Sequence, residues 1–154
     1  LPLILFVFIS LIFLPKYLNY VSTHYNKPAP EFEILTFDGQ IIQSSELKGK
    51  MILIDFWSSN CIPCIALMPK MEKLYAYYKN NSNVAIFRLN PGWESIDKAK
   101  AFIEKRNYDL PFVYDQESKT SKKFDVYSNP STIIIDKNYN LRIKHLVILL
   151  QKIL

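Results

Sequence analysis

The sequence predicts an α/β fold: a central mixed sheet flanked by helices, with a β-hairpin extension on its N-terminal side. Three observations predict it. Residues 51–57, Met-Ile-Leu-Ile-Asp-Phe-Trp, form an apolar run broken by one acid, the pattern of a strand covered on both faces. Strand, helix and strand patterns follow it with crossovers of the length that parallel pairing needs. Two short strand-like stretches flank Phe37-Asp38-Gly39, and Asp-Gly between such stretches is a strong hairpin signal. At 154 residues, 49% of them hydrophobic, the chain suits one packed domain with an appendage.

Residues 1–15, LPLILFVFISLIFLP, carry no charge and a single hydroxyl, Ser10. The run is shorter than the roughly 20 apolar residues that span a bilayer, but the chain opens on Leu1 rather than Met. A signal-anchor helix, a cleavable signal peptide and a buried core helix compete. No small-residue cleavage site follows, since the next residues are Lys16-Tyr17-Leu18-Asn19-Tyr20, and this favours the anchor. Residues 16–27 read as a linker. Pro28 and Pro30 hold their neighbours extended and mark the start of the domain, 28–154.

Glu31–Thr36 and Gln40–Gln43 are expected as the hairpin strands. Ser44 or Ser45 is expected to cap a short helical turn ending at Gly49. After the central strand, a helix is expected from Cys61 to about Asn80, kinked or broken at Pro69. Asn83–Leu89 reads as a second buried strand, and Trp93–Arg106 as an amphipathic helix with Ile96, Ala99, Phe102 and Ile103 on one face. A short strand at Phe112–Tyr114, a short helix at Glu117–Phe124, a β-branched strand after Pro130 and a last strand at Leu141–Leu146 complete the pattern. Val147–Leu154 is apolar and expected to be helical.

Chemistry concentrates where the central strand meets its helix, at Cys61-Ile62-Pro63-Cys64. A free thiol with a pKa near 8.5 is mostly protonated at neutral pH, yet the thiolate is the nucleophile. The first turn of a helix offers unpaired N–H groups and the positive end of the macrodipole, which favour the anion. Cys61 is expected at that end. Cys64 lies one turn on, so the two sulfurs share a side and can close a small ring. Pro63 fits an early helical position, where its missing N–H costs nothing. Alternation does not decide whether Asp55 is buried or a solvent-facing strand-end acid, nor whether Trp57 shields the cysteines or is plain core.

Asp55-Phe56-Trp57, three residues, then Cys61-Ile62-Pro63-Cys64 resembles the active site of the thioredoxin superfamily. The longer frame is similar to its membrane-attached, extracytoplasmic branch, the TlpA/ResA-like thiol-disulfide oxidoreductases of AhpC/TSA-Redoxin type. It comprises Pro28-Ala29-Pro30-Glu31-Phe32, Asp38-Gly39, Leu47-Lys48-Gly49-Lys50, Met68-Pro69, Asn129-Pro130-Ser131-Thr132 and Ile135-Asp136-Lys137.

The resemblance implies a thioredoxin-like fold in which Cys61 attacks a disulfide and Cys64 resolves the mixed disulfide. It implies that Asp55 is buried and accepts the Cys64 proton, that Trp57 supports the site, and that Pro130 is cis against the cysteines. Asn129 and Pro130 would then offer backbone groups to a substrate strand. The implied partners are disulfide-containing proteins, a membrane or thioredoxin-type electron donor, and the membrane itself through residues 1–15. The implied location is the extracytoplasmic, cell-envelope face, and no cofactor or metal is implied beyond the redox-active Cys61–Cys64 disulfide. The family usually closes with a longer helix than 147–154, so the C-terminal helix is expected to be truncated. Two positions depart from the family's habit: Leu67 stands where a Glu is common, and Asn60 where a Trp is common.

Other classes fit less well. The net charge of +5 is spread over helix faces (Lys98, Lys100, Lys105, Lys122, Lys123), with no basic stripe of the kind that binds nucleic acid. Two cysteines in one motif exclude a structural disulfide framework. His24 and His145 lie far from them in sequence, which argues against a four-ligand zinc site. A peroxiredoxin-type peroxidase pattern asks for Pro at 54 and Thr or Ser at 58; Ser58 satisfies it and Ile54 does not. A Cu(I) module could use both thiolates, with Met68 as the nearby soft ligand.

Overall fold

The apolar run at 51–57 becomes the middle of a sheet. The computed structural model of the chain describes residues 23–144. Its strands are β1 (Thr23–Pro28), β2 (Glu33–Thr36), β3 (Ile41–Gln43), β4 (Met51–Phe56), β5 (Val84–Asn90), β6 (Phe112–Tyr114), β7 (Ser131–Ile135) and β8 (Asn140–Lys144). Its helices are α1 (Ile62–Tyr78), α2 (Ile96–Glu104) and α3 (Lys119–Lys123). The strands form one sheet in the order β1-β8-β7-β4-β5-β6-β2-β3. β4, β5 and β6 are parallel, joined by crossovers through α1 and α2, and every other pair is antiparallel. The mixed sheet and the hairpin extension are as expected.

Alternation along β4 divides the core. Ile52, Ile54 and Phe56 face one side and pack with Phe32, Leu47, Leu89, Phe124, Val126, Ile133 and Ile135. Leu53 and Trp57 face the other, under α1 and α2, with Leu67, Met68, Met71, Ala99 and Phe112. Glu72 fixes α1 against the segment leading into β6, its carboxylate accepting the N–H groups of Asp109 (2.8 Å) and Leu110 (3.2 Å). α1 continues through Pro69, which removes the ladder donor to the Ile65 carbonyl.

Several local expectations change. Residues 23–27, expected as the end of a linker, form with Pro28 an edge strand paired with β8, so the sheet begins ahead of residue 28. An edge strand gains backbone hydrogen bonds without needing apolar alternation, which is why its composition did not announce it. The turn at Ser44–Leu47 is capped by Gln43, whose N–H is accepted by the Glu46 carboxylate at 3.3 Å. Ser44 instead accepts the Phe32 N–H at 3.0 Å and donates to Glu31 at 2.6 Å. α2 starts at Ile96 because Ser95 caps it, accepting the Lys98 N–H at 3.3 Å. The expected helix at 117–124 is split by positive φ at Glu117 and Ser118 into a 3₁₀ turn and α3. The expected anchor 1–15, most of the linker, His145 and the helix at 147–154 lie outside the described residues. Among the described residues no helix is long and apolar enough to cross a membrane.

Candidate active site

Cys61 is the N-cap of α1, with extended backbone (φ −89°, ψ 95°), and its Sγ accepts the Cys64 N–H at 3.3 Å. The sulfur therefore occupies the place where an N-cap oxygen usually satisfies a free N–H. Pro63 is in the first turn, exposed and without a ladder bond to lose. Cys61 and Cys64 are joined as a disulfide with their Cα atoms 5.2 Å apart. Cys61 is partly exposed, while Cys64 is fully buried with its Sγ 4.0 Å from the Phe56 carbonyl oxygen. The pair thus has an outer and an inner sulfur.

Asp55 is resolved by register. It stands opposite Arg88 on β5 and Thr132 on β7, so the three side chains form a polar row across the sheet. By alternation that row lies on the face covered by α1. Asp55 and Arg88 are both fully buried, with Arg88 Nη2 2.6 Å from Asp55 Oδ2 in an ionic contact. Thr132 Oγ1 donates to Asp55 Oδ1 at 2.9 Å, and Arg88 Nη2 donates to the Cys64 carbonyl at 3.2 Å. Arg88 therefore ties the acid to the first turn of the cysteine helix. Burial pushes the Asp55 carboxyl above its ordinary range, against the downward pull of Arg88 and Thr132. Burial likewise lowers the Arg88 guanidinium, opposed by Asp55.

Trp57 is fully buried beside Phe102 (ring centroids 5.6 Å apart) and Phe112 (5.3 Å), in the same apolar cluster as Cys64. It is a core residue. The Asn129–Pro130 bond is cis. Pro130 directly precedes β7, whose Ser131 pairs with Phe56, so it lies beside the strand end that leads to Cys61. The Asn129 amide is buried with no partner among the described residues. Leu67, at the position where the resemblance would favour a Glu, is buried in the core.

Sequence reasoning missed Arg88 and Thr132. Arg88 had a signal: one basic residue inside an apolar strand pattern, matching the one acid inside β4. Among the described residues no group of three or more His, Cys, Asp or Glu side chains is gathered as metal ligands would be.

A parallel β4-β5-β6 core, an antiparallel β7 entered through a cis proline, and a Cys-x-x-Cys disulfide at a helix N-cap define a thioredoxin-fold protein. The chain belongs to the AhpC/TSA family, whose model matches residues 25–144. It is similar to thiol-disulfide oxidoreductase ResA of Geobacillus kaustophilus, 33% identical over 110 residues covering 71% of this chain and 62% of that protein. It thus spans less than two thirds of that relative. The thioredoxin-like protein YneN of Bacillus subtilis is 29% identical over 117 residues, 76% of this chain and 68% of that one. A Chlorobium tepidum structure described as a candidate thiol:disulfide interchange protein DsbE superposes with a TM-score of 0.69 at 25% identity, over 79% of this chain and 84% of that one.

Proposed function

We propose that the protein is a thiol-disulfide oxidoreductase that reduces disulfides in partner proteins outside the cytoplasm, held to a membrane by residues 1–15. The carrying observation is the asymmetry of the pair: a partly exposed sulfur capping a helix, and a buried one beneath it. The relatives' names support the chemistry, and the apolar run at 1–15 supports the location.

Starting from the dithiol, the Cys61 thiolate attacks one sulfur of the partner's disulfide. A Cys61–partner bond forms, the partner's bond breaks, and its other sulfur leaves as a thiolate. Cys64 then loses its proton, with Asp55 as the acceptor, and attacks the Cys61 sulfur. The Cys61–Cys64 bond forms and the partner's second sulfur leaves as a thiolate, so two electrons pass to the partner. The oxidised pair needs a dithiol donor to reset it. Ile62 at the α1 start, Trp93 in the β5–α2 loop and Tyr127 in the α3–β7 loop leave large apolar side chains exposed (79%, 46% and 72%), contacts available to an extended polypeptide.

The test is disulfide exchange with a model disulfide-containing protein. Cys61→Ser should abolish it, and Cys64→Ser should accumulate a mixed disulfide visible by mass. Full activity in Cys61→Ser would reject the assignment.

A further inference from the structure

Between β4 and α1 runs a short polar loop, Ser58-Ser59-Asn60, whose end sets where the Cys61 sulfur lies. Its internal bonds are local: the Cys61 N–H donates to the Ser58 carbonyl at 3.2 Å, and the Ser58 hydroxyl to Asn60 Oδ1 at 2.8 Å. Ser59 ties it outward. Its N–H donates to Glu94 Oε1 at 2.8 Å and its hydroxyl donates to Glu94 Oε2. Glu94 comes from the loop between β5 and α2, and its side chain is only 7% exposed.

That second loop is itself fastened. Asn90, fully buried, donates to Glu94 Oε1 at 2.6 Å and accepts the Gly92 N–H at 3.1 Å. The Tyr114 hydroxyl donates to the Glu94 carbonyl at 2.6 Å, and the Ser118 hydroxyl to the Pro91 carbonyl at 2.6 Å. A Cβ on Gly92 would meet the Asp115 carbonyl oxygen at 2.3 Å, so the loop lies directly on the end of β6. An unbroken run of hydrogen bonds leads from the sheet through Glu94 to the residue two before the attacking cysteine.

We propose that Glu94 is a positioning residue for Cys61: its carboxylate holds Ser59 so that the Cys61 sulfur stays on the free N–H groups of α1. The inference rests on the reading of Cys61 as the nucleophile. Glu94 is not the acceptor of the Cys64 proton. Burial alone would push its carboxyl up, but Ser59, Asn90 and Lys98 together outweigh burial and hold it below the ordinary range, where it is a poor base at neutral pH.

A glutamine can keep the arrangement. Its amide oxygen can accept from the Ser59 N–H and from Asn90, and its amide N–H can donate to the Ser59 hydroxyl. Only the ion pair with Lys98, 3.3 Å away at the surface, is lost. Alanine loses every contact.

The experiment uses the reduced full chain. The Cys61 thiolate is titrated by its ultraviolet absorbance, the rate of reaction with oxidised glutathione is followed, and the urea midpoint is measured separately. Glu94→Ala should raise the Cys61 pKa toward the free-thiol value and slow attack about tenfold at neutral pH. Glu94→Gln should restore the rate to within about twofold of the parent, since placement rather than charge carries the effect. A folded Glu94→Ala with parental pKa and rate but a lower urea midpoint would overturn the proposal, as would a folded Glu94→Gln that fails to restore the rate. If Glu94→Ala does not fold, Ser59→Ala decides: an about two- to threefold slower attack is expected, and an unchanged rate overturns the proposal. If the parent itself shows no reaction at Cys61, the underlying reading of the nucleophile fails instead.

Discussion

Replacing Arg88 with methionine should cost about 3–5 kcal/mol of stability, the usual cost of leaving one member of a buried ion pair alone. Both partners are fully buried and their charged atoms are 2.6 Å apart. At an effective dielectric of about 20, attraction at that separation is about 6 kcal/mol, set against a desolvation cost of several kcal/mol per ion. Without Arg88, Asp55 keeps only the Thr132 hydroxyl. Its carboxyl, already pushed up by burial, should then protonate, which limits the cost. Asp55→Asn strands the guanidinium instead, whose Nε and Nη1 already lack partners among the described residues. The double variant Asp55→Asn/Arg88→Met removes both charges and should cost no more than either single change, an interaction energy of about 3 kcal/mol. Urea unfolding of the oxidised forms by circular dichroism measures this. For an m-value of about 2 kcal/mol/M, each single variant's midpoint should fall by about 1.5–2.5 M. Strictly additive costs, or a single variant within about 0.5 kcal/mol of the parent, would refute the reasoning.

Asp55 also predicts a pH dependence. Its native value is raised, so the folded protein holds a proton that the unfolded chain releases; this contribution is intact below the ordinary value of 3.8 and lost as pH rises through the native value. Over that window the parent should lose stability relative to Asp55→Asn, as read from urea midpoints across pH. Glu94 has the opposite sign: its contribution is present above 4.5 and lost as pH falls through its lowered native value, a loss that Glu94→Gln should not show. Gly92→Ala, which drives a Cβ against the Asp115 carbonyl at a positive φ of 74°, should cost about 2–4 kcal/mol by thermal or urea unfolding. Asp115→Ala removes the carboxylate that accepts the N–H groups of Thr120 and Ser121 and the Ser121 hydroxyl, and should cost about 2–4 kcal/mol in the same assay.

The central strand, the cysteine helix and the hairpin were legible because each depends on local pattern: apolar continuity, cap chemistry and an Asp-Gly turn. Asp55 was named, but its environment was not readable, because a strand covered on both faces gives no alternation to place an acid. Only register with β5 and β7 shows it between Arg88 and Thr132. Glu94 carried no local signal at all; it meets Ser59 from 35 residues away, through two loops that neighbour each other only because β4 and β5 are parallel. β1 was missed because an edge strand is held by its partner's backbone rather than by its own composition. Trp57, for which core and shield were left open, is core first.

The outermost strands bear on how this molecule behaves at high concentration. A sheet ends in rows of unpaired amides and carbonyls that can template self-association. Among the described residues, β3, one outer strand, is only three residues long, and β1, the other, carries a register irregularity between His24 and Lys27 and ends on Pro28, which has no amide hydrogen to give. Neither offers a long, flat ladder to a second copy. If the protein meets partner chains as proposed, these two short or irregular edges discourage it from joining them into a common sheet and leave the cysteine end as the place of contact.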